Sequence, residues 1–178
     1  MRVITISGHA QNGKDTFAKM VAEKLENEGY KVLVTHYADL VKYICKMFFG
    51  WDGQKDTHGR TLLQFVGTDV VRKENPDYWV NFIIDMLSFF GDHWDFVLIP
   101  DTRFPNEIDR LRQEGFDVHH VKVFRDPGAF NSPLTEEQQR HPSETALDDC
   151  FPDLFIMNNG TLKNLKDLAD QYVNYLTK

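Results

Sequence analysis

Residues 8–16 read Gly8-His9-Ala10-Gln11-Asn12-Gly13-Lys14-Asp15-Thr16, two glycines separated by four residues with a lysine directly behind the second. An apolar run at 3–7 precedes them and helical periodicity follows, so the stretch is a strand-to-helix connection of the kind that binds phosphate. Glycine at positions 8 and 13 permits backbone angles that other residues resist, and successive amide N–H groups can then curl around an anion. The helix that begins here adds its positive end. Lys14, read as an exposed loop lysine, reaches the outer phosphates. The usual pattern has Ser or Thr next, whose hydroxyl binds magnesium. Here Asp15 intervenes and Thr16 follows. Asp15 holding the ion directly or through a water, and Thr16 supplying the hydroxyl, are both open readings.

Outward from the loop, short apolar strand-type runs alternate with helical periodicity, which predicts an α/β fold around a mainly parallel sheet. Strands are expected at 3–7, 32–37, 96–101, 118–124 and Leu154–Met157. Several are apolar on both faces, as in strands covered by helices on each side. Residues 14–28 put Phe17, Met20, Val21 and Leu25 on one stripe, with Gly29 as the stop. Residues 162–176 repeat this with Leu165, Leu168, Ala169, Tyr172 and Val173, opened by Thr161 as N-cap.

Between the second and third strands, residues 38–94 predict two or three helices. Asn75 is read as the cap of the last one and Pro76 as its first residue. Its face of Trp79, Phe82, Ile83, Met86, Leu87 and Phe90 is expected to be well buried. Residues 125–143 turn polar, with Pro127, Gly128, Asn131, Ser132 and Pro133, and read as a mobile loop or lid. Within them, Glu136-Glu137-Gln138-Gln139 reads as a solvated helical turn. No repeat or linker interrupts the chain, which predicts one domain over 1–178, with its core at 1–37, 95–125 and 144–178.

The 178 residues carry a formal net charge of -7. So acidic a chain argues against sequence-independent nucleic-acid binding, which needs a surplus of Lys and Arg to displace counterions. A local cluster of cations can still hold a small anion. Cys45 and Cys150 lie far apart in no paired-spacing motif, which fits neither a disulfide scaffold nor a zinc knuckle. Met1 runs straight into a strand without a basic-then-apolar leader, and no apolar run approaches the roughly 20 residues that span a bilayer. The expectation is a cytoplasmic protein without membrane association.

A second signal supports the loop. The run 96–101, Phe-Val-Leu-Ile-Pro-Asp, is an apolar strand ending in Asp101, where phosphate-loop proteins place the carboxylate that organises magnesium or its waters. His119 and His120 point to opposite faces of a strand and cannot share one ion. His141-Pro142-Ser143-Glu144 would most simply cap the helix that follows.

These blocks together resemble the deoxynucleoside monophosphate kinase family best known from bacteriophages, within the P-loop kinases. The resemblance rests on the GKDT end of the loop and on 63–69 (LQFVGTD) with Arg72. It extends through 75–80 (NPDYWV), 101–107 (DTRFPNE), 141–144 (HPSE) and 158–161 (NNGT), in order along most of the chain. It implies a five-stranded parallel sheet with helices on both faces, a helical acceptor-binding insertion at about 38–94 and an arginine-bearing lid at about 125–143. Residues 8–16 would surround the ATP phosphates, with Asn158, Asn159, Gly160 and Thr161 near the adenine. Arg72 and Arg103 would meet the acceptor phosphate, and Arg125 and Arg140 would be lid arginines. Asp39, Trp79, Glu107, His141 and Glu144 are further substrate-side candidates, and Asp101, Asp15 and Thr16 the metal-side ones. Trp79 could stack on a base, but on so apolar a face it reads first as core.

The implied reaction moves a phosphoryl group from ATP, with Mg2+, to a (deoxy)nucleoside monophosphate. The attacking phosphate oxygen is already anionic, so no general base is needed. The task is to align two negative groups and meet the spreading charge with cations. A kinase of another small phosphorylated metabolite, such as dephospho-coenzyme A or phosphomevalonate, and a non-catalytic nucleotide-binding module are the alternatives. A homodimer is an allowed assembly. Should the chain be viral, its compartment would be the host cytoplasm.

Overall fold

A computed structural model describes residues 1–126 and 134–178. Five strands form one sheet: β1 (Arg2–Ser7), β2 (Val32–Val34), β3 (Phe96–Ile99), β4 (Asp117–Phe124) and β5 (Leu154–Met157). Their order is β2-β3-β1-β4-β5, and every adjacent pair is parallel. β1 is central, with Ile4 opposite Leu98 on one side and His119 on the other.

Side chains alternate across this sheet and feed two cores. Ile4, Ile6, Leu98, Val121 and Val123 pack under α1 (Lys14–Asn27) and α8 (Leu162–Leu176), against Phe17, Val21, Leu165 and Val173. Val3, Val97 and Ile99 pack on the opposite face, beneath α2 (Ala38–Phe49), α4 (Tyr78–Phe90) and α5 (Pro105–Gln113). Burial on both faces is why β3 is wholly apolar and why the buried hydroxyls of Thr5 and Ser7 in β1 are partnered, both by His120. α8 is opened as expected by Thr161, whose side chain accepts the Asn164 N–H.

Between α2 and α4 run α3 (Thr57–Gln64) and a π-helical turn pair at Phe65–Arg72. The remaining helices among the described residues are short: a 3-10 turn at Gly91–His93, α6 (Glu136–Arg140) and α7 (Pro142–Thr145). Residues 127–133, and with them that part of the expected lid, lie outside the described residues.

Several expected boundaries shift for identifiable reasons. β2 ends at Val34 and β3 at Ile99, because the chain turns at both strand ends to join Asp101 to residues 37 and 38. Pro100 could not extend the ladder in any case, having no N–H. α4 begins at Tyr78, two residues beyond the expected Pro76 start. Asn75 and Pro76 form a turn instead: Asn75 Oδ1 accepts the Asp77 N–H, and the Pro76 carbonyl accepts from Arg72 and Asn106.

The buried face of α4 also differs. It comprises Trp79, Val80, Ile83, Ile84 and Leu87, whereas Phe82, Met86 and Phe90 are exposed. Asn81, Asp85 and Ser88 mark only a narrow polar stripe, which leaves both apolar flanks of the helix open as its inward side. Gln138 is buried rather than solvated, donating to the Thr57 carbonyl and Thr61 Oγ1. His119 and His120 do face opposite sides: His119 pairs with the Tyr172 hydroxyl, His120 with those of Thr5 and Ser7.

Candidate functional site

The loop leaves β1 with Gly8 at φ +136°, and a Cβ there would lie 2.2 Å from the Val123 carbonyl oxygen. Only glycine allows the loop to pass so close to β4. Gly13 closes the loop at φ +94° as the N-cap of α1, abutting the Asn158 side chain. Asn12 Nδ2 donates to the Val123 carbonyl at 3.1 Å, and Asn158 Nδ2 to the Asn12 carbonyl at 2.9 Å. Two asparagines thus fasten the loop to β4 and to the turn after β5.

Lys14 is not exposed. It retains 6% of its surface, and its Nζ donates to the His9 carbonyl at 2.8 Å. Burial, joined by the nearby Arg103 charge, pulls its pKa down to about 8 against the opposing pull of Glu144, Asp15 and Asp101. The ammonium is folded into the loop because the cavity wall leaves it little access to water.

Asp15 projects from the first turn of α1 toward His36, at the end of β2, with 3.4 Å between Oδ1 and Nε2. This hydrogen bond lowers the Asp15 pKa and raises that of His36. His36 also approaches Asp39, which holds Lys42 at 2.7 Å. Asp101 accepts the N–H groups of Tyr37 at 3.0 Å and Ala38 at 2.9 Å, one on each oxygen. Burial raises its pKa, opposed by His36 and these two N–H bonds.

Beyond Asp101 the chain is set by a buried pair. Arg72 Nη2 meets Glu107 Oε1, and Arg72 Nη1 donates to the Pro76 carbonyl and Asn106. The guanidinium lies over the Phe104 ring, 3.8 Å from its centroid. Glu107 Oε2 accepts the backbone N–H groups of Arg103 and Phe104. Burial pushes the Glu107 carboxyl up to about 7, while Arg72 and the N–H groups pull it down. Arg103 reaches forward to Glu144 and to the Ser143 carbonyl.

Part of this set lines one cavity of about 610 Å³. Of the residues nominated from the sequence, it collects Ala10, Gln11, Gly13, Lys14, Asp15, Thr16, Arg72, Trp79, Asp101, Arg103, Glu107 and Glu144. Trp79 is buried and donates its indole N–H to the Gly67 carbonyl, so it forms the wall. The others lie outside the lining. Gly8 and Asn12 shape the loop from behind, His9 pairs with Asp148, and Asp39 holds Lys42. His141 caps α7 and approaches Asp69 at 3.3 Å. Arg140 is a surface residue beside Glu136. Asn159 joins Asp126, and neither it, Gly160 nor Arg125 reaches the lining.

Sequence reasoning missed His36, Lys55, Arg60 and Gln64 on the same wall. His36 sits at a strand's carboxyl end, where ligands of α/β sheets gather, and that rule alone could have found it. Lys55 and Arg60 carry no local signal. Among the described residues there is no group of three His, Cys, Asp or Glu side chains that could hold a metal by themselves. The oxygen donors of Asp15 and Thr16 nevertheless fit magnesium, which takes one or two protein oxygens and completes its shell with phosphates and water. No helix among the described residues is long and apolar enough to cross a membrane.

Comparison with known proteins agrees with this geometry. The chain is 34% identical over 108 residues to the deoxynucleotide monophosphate kinase of Enterobacteria phage T4, covering 60% of this chain and 41% of that protein. The matched stretch thus spans less than half the length of the phage relative. Uncharacterized protein ORF77 of Ictalurid herpesvirus 1 is 28% identical over 173 residues, covering 96% of this chain and 69% of that one.

Among solved structures, a sugar kinase from Janibacter sp. HTCC2649 aligns with a TM-score of 0.58 at 15% identity, covering 98% of this chain and 95% of that one. The Mycobacterium tuberculosis APS kinase in complex with AMPPNP and APS aligns at 0.54 and 12%, covering 99% and 98%. Such distant likenesses establish the fold, an α/β P-loop kinase. The model of the family described as deoxynucleotide monophosphate kinase matches residues 34–168, a stretch that begins beyond the phosphate loop and therefore adds to it independently. With more than half of its length matched in this way, the chain belongs to the deoxynucleotide monophosphate kinase family.

Proposed function

We propose that the chain transfers the terminal phosphoryl group of ATP to a deoxynucleoside monophosphate, giving the diphosphate. The observation that carries this reading is that Lys14, at the phosphate loop, and Arg103, on the turn after β3, face one cavity of about 610 Å³. That volume suits a small-molecule site. Two cations lining one cavity suit two phosphorylated substrates that meet there.

In this reading the loop amides and Lys14 hold the donor's outer phosphates. Oxygens of Asp15 or Thr16 would hold a magnesium ion, which would supply charge neutralisation between the phosphates. Asp101 has an N–H bond on each oxygen, so it shapes the 36–38 turn and would reach the ion only through water. Arg103 takes the acceptor phosphate, and the Arg72–Glu107 pair sets the turn that carries it. The helical insertion 38–94 is the acceptor region, and residues 134–143 belong to the lid. The turn after β5, with Asn158 against Gly13 and Asn159 and Gly160 beyond, borders the adenine. Since the nucleophile is anionic, rate comes from alignment and from positive charge meeting the transferring group.

The test is a panel assay: Mg-ATP with each common deoxynucleoside and ribonucleoside monophosphate and with dephospho-coenzyme A, scored for ADP and the phosphorylated product. A deoxynucleoside diphosphate is expected. Transfer only to the non-nucleotide acceptor would overturn the reading.

A further inference from the structure

One carboxylate in the cavity stands where an anionic ligand would. Glu144, on α7, keeps only 7% of its side-chain surface. Its Oε2 accepts the Ala10 N–H of the phosphate loop at 3.2 Å, while its Oε1 meets Arg103 Nη1. A loop amide and a guanidinium are the groups that a phosphate oxygen seeks between donor and acceptor. Lys14 feels the same negative charge, which raises its pKa against the lowering effect of burial.

The segment bearing Glu144 has two unlike attachments. On the side of the helical insertion it is held by side-chain amide hydrogen bonds and by His141, whose Nε2 lies 3.3 Å from Asp69 Oδ1. Gln138 reaches the Thr57 carbonyl and Thr61 Oγ1, and Gln64 makes longer contacts of 3.5 Å with the Gln138 carbonyl and Ser143 Oγ. On the side of the loop it is held by the Glu144 carboxylate at Ala10, with Arg103 donating to both Ser143 and Glu144. A triphosphate entering the loop would bring negative charge against the first oxygen while the second still occupied the arginine. Two anions cannot share that position without repulsion, so one must leave.

We infer that Glu144 is an internal anion that competes with the donor triphosphate for the phosphate loop, and that its expulsion frees Arg103 for the acceptor phosphate. This rests on the function proposed above and adds an order to it: the arginine becomes available when the donor arrives. An arginine occupied in the absence of nucleotide is also shielded from adventitious anions.

The experiment uses the full chain and its Glu144→Gln variant, titrated calorimetrically with Mg-ATP and, separately, with inorganic tripolyphosphate. Glutamine keeps the size and removes the charge. Both ligands should bind the variant about fivefold tighter or more, the lower end of a typical coupling between sites. Wild-type hydrogen exchange supplies a readout independent of the variant: on adding Mg-ATP, amides at 143–147 should exchange faster while those at 9–16 become protected. Unchanged or weaker binding by Glu144→Gln overturns the inference, leaving Glu144 as a clasp for Arg103. So does a 143–147 segment whose exchange does not rise. Binding by neither form would remove the nucleotide reading itself, and this inference with it.

Discussion

Arg72 and Glu107, thirty-five positions apart in the chain, form an ion pair that retains 8% and 2% of the two residues' surface. The pair closes the gap between the π-helical turn and α5. Through the second Glu107 oxygen it also fixes the backbone of Arg103. The reach of one cavity wall therefore depends on charges that are not themselves in water.

Breaking this pair should be costly. Either Arg72→Ala or Glu107→Ala leaves an uncompensated buried charge, for which a loss of about 3–5 kcal/mol is expected. Urea denaturation of each single variant and of the double variant measures it. The double variant should lose less than the sum of the singles, because neither charge is then stranded. Losses below about 1 kcal/mol in both singles would show that the pair is solvated in solution.

Lys14→Ala should abolish transfer while the fold persists. Loss of a cation at the transferring phosphates is expected to cost about 10³-fold or more in rate. Stability should change little, since the pKa of about 8 reports an ammonium that burial disfavours, and its removal relieves that cost. Turnover with the best acceptor and thermal melting give the two numbers. Wild-type turnover would remove Lys14 from the site.

Asp15→Ser converts the loop to the usual lysine-then-hydroxyl pattern. If Asp15 holds the ion, a negative ligand has been exchanged for a neutral one, and the magnesium concentration for half-maximal rate should rise several-fold. A titration at saturating nucleotide decides it. An unchanged dependence assigns the oxygen to Thr16.

His120 makes stability fall in mild acid. Burial holds its pKa down to about 4, from an ordinary 6.5, between the hydroxyls of Thr5 and Ser7. Between those values the unfolded chain binds the extra proton, so stability is present above pH 6.5 and is lost as pH falls toward 4. The single-site loss between pH 7 and pH 5 is about 2 kcal/mol. Denaturation at both pH values should show this step in the wild type and a flatter response in His120→Gln. Equal slopes would mean that the ring is protonated in the native state.

The phosphate loop was legible because everything it needs is local: a strand, two glycines in register, a lysine and a helix start within a few positions. The parallel α/β architecture was legible for the same reason, since strands covered on both faces read as short, largely apolar runs. The family resemblance extended this to a five-stranded sheet and to most residues now gathered at the cavity. Elsewhere the local signal ran out. α4 is apolar on both flanks of its narrow Asn81, Asp85 and Ser88 stripe, so its seat against β1 and β3 chose Trp79, Val80, Ile83, Ile84 and Leu87 over Phe82, Met86 and Phe90.

The sequence by itself determined the loop and the class of fold, because backbone angles and side-chain period are properties of neighbouring residues. The tertiary structure alone decided that Lys14 is buried, that His36 and Lys55 face the loop, and that Glu144 meets Ala10 across 134 positions of chain. Those relationships depend on strand order and on how helices seat over the sheet. Such long-range packing brings charges together that no spacing along the chain foretells.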